Sequence, residues 1–230
     1  MTTAVLIHGG WQSAGCWDLV RAELASDGIA SVAPQLPMAS TLDVDAAVVR
    51  ETLDGLGDDA VVVAHSWGGS PVTLGASGAP NLRHIIYVAA IMIEAGRPAL
   101  ADMRLLPSMD AVIIGPNQAV LVPEYAFETM YHDCDPRLAA KHTAQLRPFA
   151  CAGWDVVDTS VPPAWTLVPT TYVVCGLDRC ISPWKQRKMA AQAGEIVEID
   201  TSHSPFLSQP RLVADIIGER MRRYACLRGD

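Results

Sequence analysis

Short apolar runs recur along this chain, each broken off by glycine, proline or a polar cluster. They predict strands near residues 4–8, 30–34, 60–65, 84–90, 170–176 and 195–200. The stretch Ala60-Val-Val-Val-Ala64 is apolar at successive rather than alternate positions, the pattern of a strand buried on both faces. Between the runs, helical stretches are predicted near 16–27, 43–56, 67–77, 183–193 and 208–225. Such alternation implies an α/β fold: a mostly parallel sheet with helices on both faces and right-handed crossovers.

The alternation lapses once. After His84-Ile-Ile-Tyr-Val-Ala-Ala, roughly 70 residues pass before the next strand at Thr170, far more than an ordinary βα connection needs. The interval mixes Met and Pro clusters with Tyr125-Ala-Phe, Tyr131-His-Asp-Cys and Trp154. We read 97–166 as a cap subdomain inserted into a single domain spanning 1–230. A cap over the active edge of a sheet walls a pocket and excludes water. Its apolar character points to a hydrophobic substrate.

Composition narrows the class. A chain of 230 residues without an internal repeat suits one domain with a modest insertion. Hydrophobic residues at 50% and charged residues at 18% suffice for a sheet covered on both faces. No apolar run reaches the roughly 18 residues of a membrane span. The first strand begins almost at Met1, which leaves no space for a signal peptide and predicts a cytoplasmic protein. A net charge of −8 argues against nucleic acid or an anionic membrane as partner. The six cysteines (Cys16, Cys134, Cys151, Cys175, Cys180 and Cys226) are scattered without metal-ligand spacing and read as reduced thiols. His132 and Asp133 are adjacent potential ligands without a third or fourth, so no metal is expected. No Gly-x-Gly-x-x-Gly follows the first strand and no Gly-Lys-Ser/Thr loop occurs, so no nucleotide cofactor is expected either.

The candidate chemistry lies where strands end. Ser66 stands at the end of the 60–65 run, between the small residues Ala64 and Gly68, and Trp67-Gly68-Gly69 opens the next helix. A strand–turn–helix of this kind forces the serine into a strained conformation and lifts its hydroxyl clear of the sheet. Asp178 follows the strand that stops at Gly176, and His203 follows the last strand in Thr201-Ser-His-Ser-Pro-Phe. Parallel strands bring such ends to one edge, where open α/β sheets bind ligands. A serine hydroxyl needs an imidazole to take its proton, and the imidazole needs a carboxylate to fix its tautomer. Ser66, Asp178 and His203 therefore form a candidate triad. Glu94 is the alternative acid, and Asp200, though nearer His203 in sequence, is expected to point elsewhere. His8 and His65 are expected to shape backbone rather than move protons. Gly9-Gly10-Trp11 follows the first strand as a loop able to approach a ligand. The amides of Gly10 and Trp67 are the candidate oxyanion donors. Trp11, Trp67 and Trp154 either line the pocket or fill core.

These residues resemble the α/β-hydrolase superfamily over nearly the whole chain. More narrowly, the chain is similar to the branch of small bacterial carboxylesterases, plant methyl esterases and plant hydroxynitrile lyases. The matching stretches are His8-Gly-Gly-Trp with Trp17 downstream, Ala64-His-Ser-Trp-Gly-Gly, Pro169-Thr-Thr-Tyr-Val-Val-Cys and His203-Ser-Pro-Phe-Leu-Ser-Gln-Pro. The resemblance implies the same triad, Ser66, Asp178 and His203, with Gly10 and Trp67 as backbone donors. It implies a cofactor-independent serine hydrolase acting on a small hydrophobic carboxylic ester. Thioester, lactone or cyanohydrin chemistry on the same scaffold is the first alternative, and a non-catalytic small-ligand receptor is the second. Related lyases carry Thr where this chain has Gly9, and Lys where it has Ser204. Their absence favours the ester reading.

Overall fold

The computed structural model describes residues 2–38, 41–94, 111–115, 118–150 and 161–228. In chain order, β1 (Thr2–Ile7), α1 (Asp18–Ser26), β2 (Ser31–Val32), α2 (Leu42–Asp54), β3 (Asp59–His65), α3 (Gly69–Gly75) and β4 (Leu82–Val88) come first. An insertion follows, holding β5 (Val112–Ile114), β6 (Gln118–Leu121), α4 (Pro123–Ala126), α5 (Pro136–Thr143) and β7 (Phe149–Ala150). The chain returns through β8 (Thr170–Cys175), α6 (Pro183–Ala190), β9 (Glu195–Ile199), α7 (Pro205–Ser208) and α8 (Pro210–Arg228).

The main sheet has the order β2-β1-β3-β4-β8-β9, and its strands are parallel. Its middle is built from the runs that the sequence makes wholly apolar: Ala60–Ala64 and Ile85–Tyr87 are all fully buried. The edge strand β9 instead alternates part-buried with exposed residues, so one of its faces meets solvent. Register aligns Ile7, Ala64, Tyr87, Tyr172 and Ile196 in one row. His8, Ser66, Asp178 and His203 all lie beyond that row, on the same edge.

Crossover handedness distributes the helices. The chain steps from β1 to β2 in one direction and from β2 over β1 to β3 in the other. Right-handed connections therefore put α1 and α2 on opposite faces. The helix contacts agree: α1 packs on α8, and α2 packs on α3. The reversal of direction beside β1 opens a crevice beyond the ends of β1 and β3.

The insertion is a different kind of structure. β5, β6 and β7 form a small antiparallel sheet of strands two to four residues long. α5 starts sharply because Asp135 Oδ1 accepts from the amides of Arg137 and Leu138, at 2.9 and 3.1 Å, with Pro136 in the first turn. Among the described residues no helix is long and apolar enough to cross a membrane.

Candidate active site

Ser66 has φ 51°, in the left-handed region that side chains other than glycine rarely adopt. Holding it there costs about 1–3 kcal/mol, which the surrounding packing must offset. The chain turns through a 3-10 turn, Ser66–Gly68, directly into α3. Such a turn brings helix and strand backbones together. A Cβ on Gly68 would meet the carbonyl oxygens of His8 and Ile7 at 2.6 and 2.9 Å, and one on Gly69 would collide with the backbone of Ile91. The amide of Ile91 donates to the Ser66 carbonyl at 2.9 Å, which fixes the turn from the β4 side.

Asp178 sits in the turn after β8, nearly fully buried. Its Oδ1 accepts from the amides of Cys180 (2.6 Å) and Ile181 (2.9 Å). Its Oδ2 accepts from His203 Nδ1 at 2.6 Å. A carboxylate oxygen can only accept, so Nδ1 carries the proton and Nε2 of the neutral ring keeps its lone pair. Burial pulls the His203 imidazole down, but the Asp178 carboxylate, with the Cys180 sulfur, holds it well above the usual imidazole range. Glu94 and Asp200 are both exposed, and it is Asp178 that meets His203.

His65 ties the serine's strand to the histidine's loop. Its ring lies 4.6 Å from that of His203, and its Nε2 donates to the His203 carbonyl at 2.8 Å. Burial, and then the nearby His203, push His65 well below the usual range, so it stays neutral. Two imidazoles this close are compatible with a charged His203 only if the other remains uncharged. On the far side of His203, the Ser202 amide donates to Asp133 Oδ2 at 2.8 Å and the Ser202 hydroxyl to the Met130 carbonyl at 3.0 Å. The His203 loop is thus gripped by the insertion.

The loop after β1 is set by His8. Its Nδ1 donates to the Gly9 carbonyl (2.9 Å), and its Nε2 accepts from the Leu36 amide (2.9 Å), with Gln35 Nε2 at 2.8 Å. Burial pushes His8 down to about 4, so both roles are fixed at neutral pH. The expectation of a backbone-shaping His8 and His65 matches this geometry. The two glycines, however, differ. A Cβ on Gly9 would meet His65 Nδ1 at 2.7 Å and Ser66 Cβ at 2.8 Å, whereas one on Gly10 meets nothing nearer than Trp67 Cβ at 3.7 Å. Steric need for glycine therefore falls on the first of the pair. Trp67 is itself anchored: its indole N–H donates to Asp45 Oδ2 at 3.2 Å, and Asp45 Oδ1 accepts from the Met38 amide at 3.0 Å.

Trp11 is almost fully buried, with φ 61°, and joins this loop to the insertion. Its indole N–H donates to the Ala119 carbonyl at 3.1 Å, and its carbonyl accepts from the Arg147 amide at 2.7 Å. Phe149 packs edge-on against both Trp11 and Trp67. Trp154, the other expected pocket residue, lies outside the described residues, as do Cys151 and the parts of the 97–166 segment at 97–110 and 151–160. Cys16, Cys134, Cys175, Cys180 and Cys226 are free thiols. A groove of about 720 Å³ in the insertion is lined by residues such as Leu121, Phe127, Ala139 and Arg147. None of Ser66, Asp178 and His203 lines it. Among the described residues no group of three or more His, Cys, Asp or Glu side chains is arranged to hold a metal ion. Sequence reasoning missed Gln186, which touches Asp178; a glutamine in a short polar helix carries no signal of that contact.

Geometry and sequence agree on the family. Residues 4–216 match the model of the alpha/beta hydrolase family, and the chain belongs to that family. Methylesterase 7 of Arabidopsis thaliana is 28% identical over 251 residues, with 96% of each chain covered. A methylesterase structure from Arabidopsis superimposes with a TM-score of 0.81 at 21% identity, covering 96% of this chain and 99% of the other. A pyrethroid hydrolase from Sphingobium faniae superimposes with a TM-score of 0.80 at 19% identity, covering 95% and 96%. At these identities the structures establish a shared fold.

Proposed function

We propose that this protein is a cofactor-independent serine carboxylesterase acting on a small-to-medium hydrophobic ester. The observations that carry the proposal are a strained Ser66 at the end of β3 and, past the ends of β8 and β9 on the same edge of the sheet, a buried, hydrogen-bonded Asp178–His203 pair. In this reading His203 Nε2 takes the Ser66 proton as Oγ attacks the ester carbonyl. The developing oxyanion is met by the amides of Gly10 and Trp67, each worth roughly 3–4 kcal/mol to the transition state. Asp178 stabilises the imidazolium through Nδ1. His203 then protonates the leaving alcohol, and water releases the acid from acyl-Ser66 by the same route.

The tight fit at Gly9, the His8 brace and the Asp45–Trp67 bond support the oxyanion assignment, because they fix the two backbones without moving parts. Trp11, Phe149 and Trp67 supply apolar surface beside these backbones, which favours a hydrophobic substrate. We read 97–166 as the cap that walls the pocket. The relatives named as methylesterases and as a pyrethroid hydrolase support ester chemistry. The test is a pre-steady-state burst of nitrophenol from a short-chain nitrophenyl ester, with mass spectrometry locating the acyl group. An acyl adduct on Ser66 is expected. Turnover without a Ser66 adduct would overturn the proposal, and binding without turnover would favour the receptor reading.

A further inference from the structure

Gln186 is fully buried on α6, a helix that otherwise carries Lys185, Arg187 and Lys188 in its middle. Its amide is committed to three hydrogen bonds. Nε2 donates to Asp178 Oδ2 at 2.7 Å and to the Ile181 carbonyl at 2.7 Å, while Oε1 accepts from the Cys175 amide at 2.9 Å. The last residue of β8, the turn bearing Asp178 and the following helix thus meet on one side chain. Anchoring the helix would need only the two backbone contacts. The third goes to Oδ2, the same carboxylate oxygen that His203 Nδ1 addresses.

We propose that Gln186 is a positioning residue, holding the Asp178 carboxylate in the rotation that presents Oδ2 to His203. The inference rests on the triad reading above. Two amides hold Oδ1, so without Gln186 the only donor left on Oδ2 is His203 itself, and the rotation of the carboxylate is fixed less firmly. Gln186 also competes with His203 for negative charge on Oδ2. Removing it leaves more of that charge to the imidazole, which favours the protonated ring. The other groups facing His203 are Cys180 from the same turn and neutral His65 from β3, with Asp133 of the insertion bonded to neighbouring Ser202. None of these three is bonded to Gln186.

The experiment compares wild type, Gln186→Met and Gln186→Glu, with Asp178→Asn as reference. It measures kcat, KM, thermal unfolding, and kcat/KM against pH with a nitrophenyl ester. Gln186→Met keeps the volume and removes all three bonds; Gln186→Glu keeps an acceptor for the Cys175 amide and sets a second carboxylate against Oδ2. Both are expected to lower kcat roughly 10- to 100-fold with KM within about twofold. Both should move the acid limb of kcat/KM upward by about half a pH unit or more. A Gln186→Met protein that is less heat-stable but keeps its kcat and its acid limb would overturn the inference, leaving a structural role only. If the Met variant does not fold, an unmoved acid limb in Gln186→Glu has the same force. Full activity in Asp178→Asn would instead remove the triad reading itself.

Discussion

The main sheet and the insertion solve the same problem, burying apolar surface, in opposite ways. The inner strands β1, β3, β4 and β8 are largely apolar runs, and most of their residues are buried. The insertion uses strands of two to four residues, a capped short helix and aromatic contacts. Among the described residues, the bonds that join it to that edge of the sheet include Trp11 to Ala119, Arg147 to Trp11, Leu36 and Pro37, and Ser202 to Asp133 and Met130. The contrast suggests a division of labour. In a division of this kind the sheet edge fixes side chains closely, while the insertion is the part that tolerates variation.

That division is open to attack, most severely at the edge. Ser66→Ala and His203→Ala should each lower ester turnover roughly 10⁵- to 10⁶-fold, with the double variant little worse, because such groups act as a unit. Steady-state kinetics on proteins with unchanged circular dichroism would check this; a single variant retaining a large share of activity would move the chemistry elsewhere. Next, Asp178→Asn should cost about 10⁴-fold, since an amide facing Nδ1 favours the wrong tautomer. Glu94→Gln, exposed on the loop after β4, should stay close to wild type. The reverse ranking would transfer the acid to that loop.

The pH profile separates the regions further. His203 titrates well above the ordinary imidazole because Asp178 overrides the effect of burial. The base is therefore lost earlier on acidification, and the acid limb of kcat/KM should lie clearly above pH 6.5, the ordinary imidazole value. A limb at or below that value would contradict the Asp178–His203 pairing. The smallest effects belong to the insertion's ties. Asp133→Ala removes the acceptor for the Ser202 amide and should lower kcat about three- to tenfold, leaving the acid limb in place. Trp11→Phe, which loses the bond to Ala119, should destabilise by about 1 kcal/mol and act mainly on KM. Losses here as deep as those at Ser66 would erase the distinction between the regions.

The same contrast explains what could be read from the chain alone. The runs at 60–65 and 170–176 fall within a residue of β3 and β8, because a strand buried in a parallel sheet leaves a near-continuous apolar signature. The run at 195–200 also falls within a residue of β9, although Ile196 and Glu198 there are exposed. β4 starts at Leu82 rather than His84, since Arg83 interrupts the run and pairs at the surface with Asp59. Asp178 and His203 were legible because each follows such a run closely. β5, β6 and β7 were not, because strands this short have no period to detect. Asp135-Pro136 is a readable helix start, masked by the mixed signals around it. Gln186 and the bond from His65 to the His203 carbonyl are tertiary facts. No local pattern announces them.

The clash awaiting any side chain at Gly9 has a consequence for how sites of this kind diverge. Related lyases hold Thr at the Gly9 position, but here the space belongs to the His65 ring. A side chain at position 9 needs room from both the His65 ring and Ser66 Cβ, and shrinking position 65 would give up the bond to the His203 carbonyl. The two positions are therefore coupled through one small space and one hydrogen bond. Neighbouring activities on one fold can be separated by a valley a single imidazole wide.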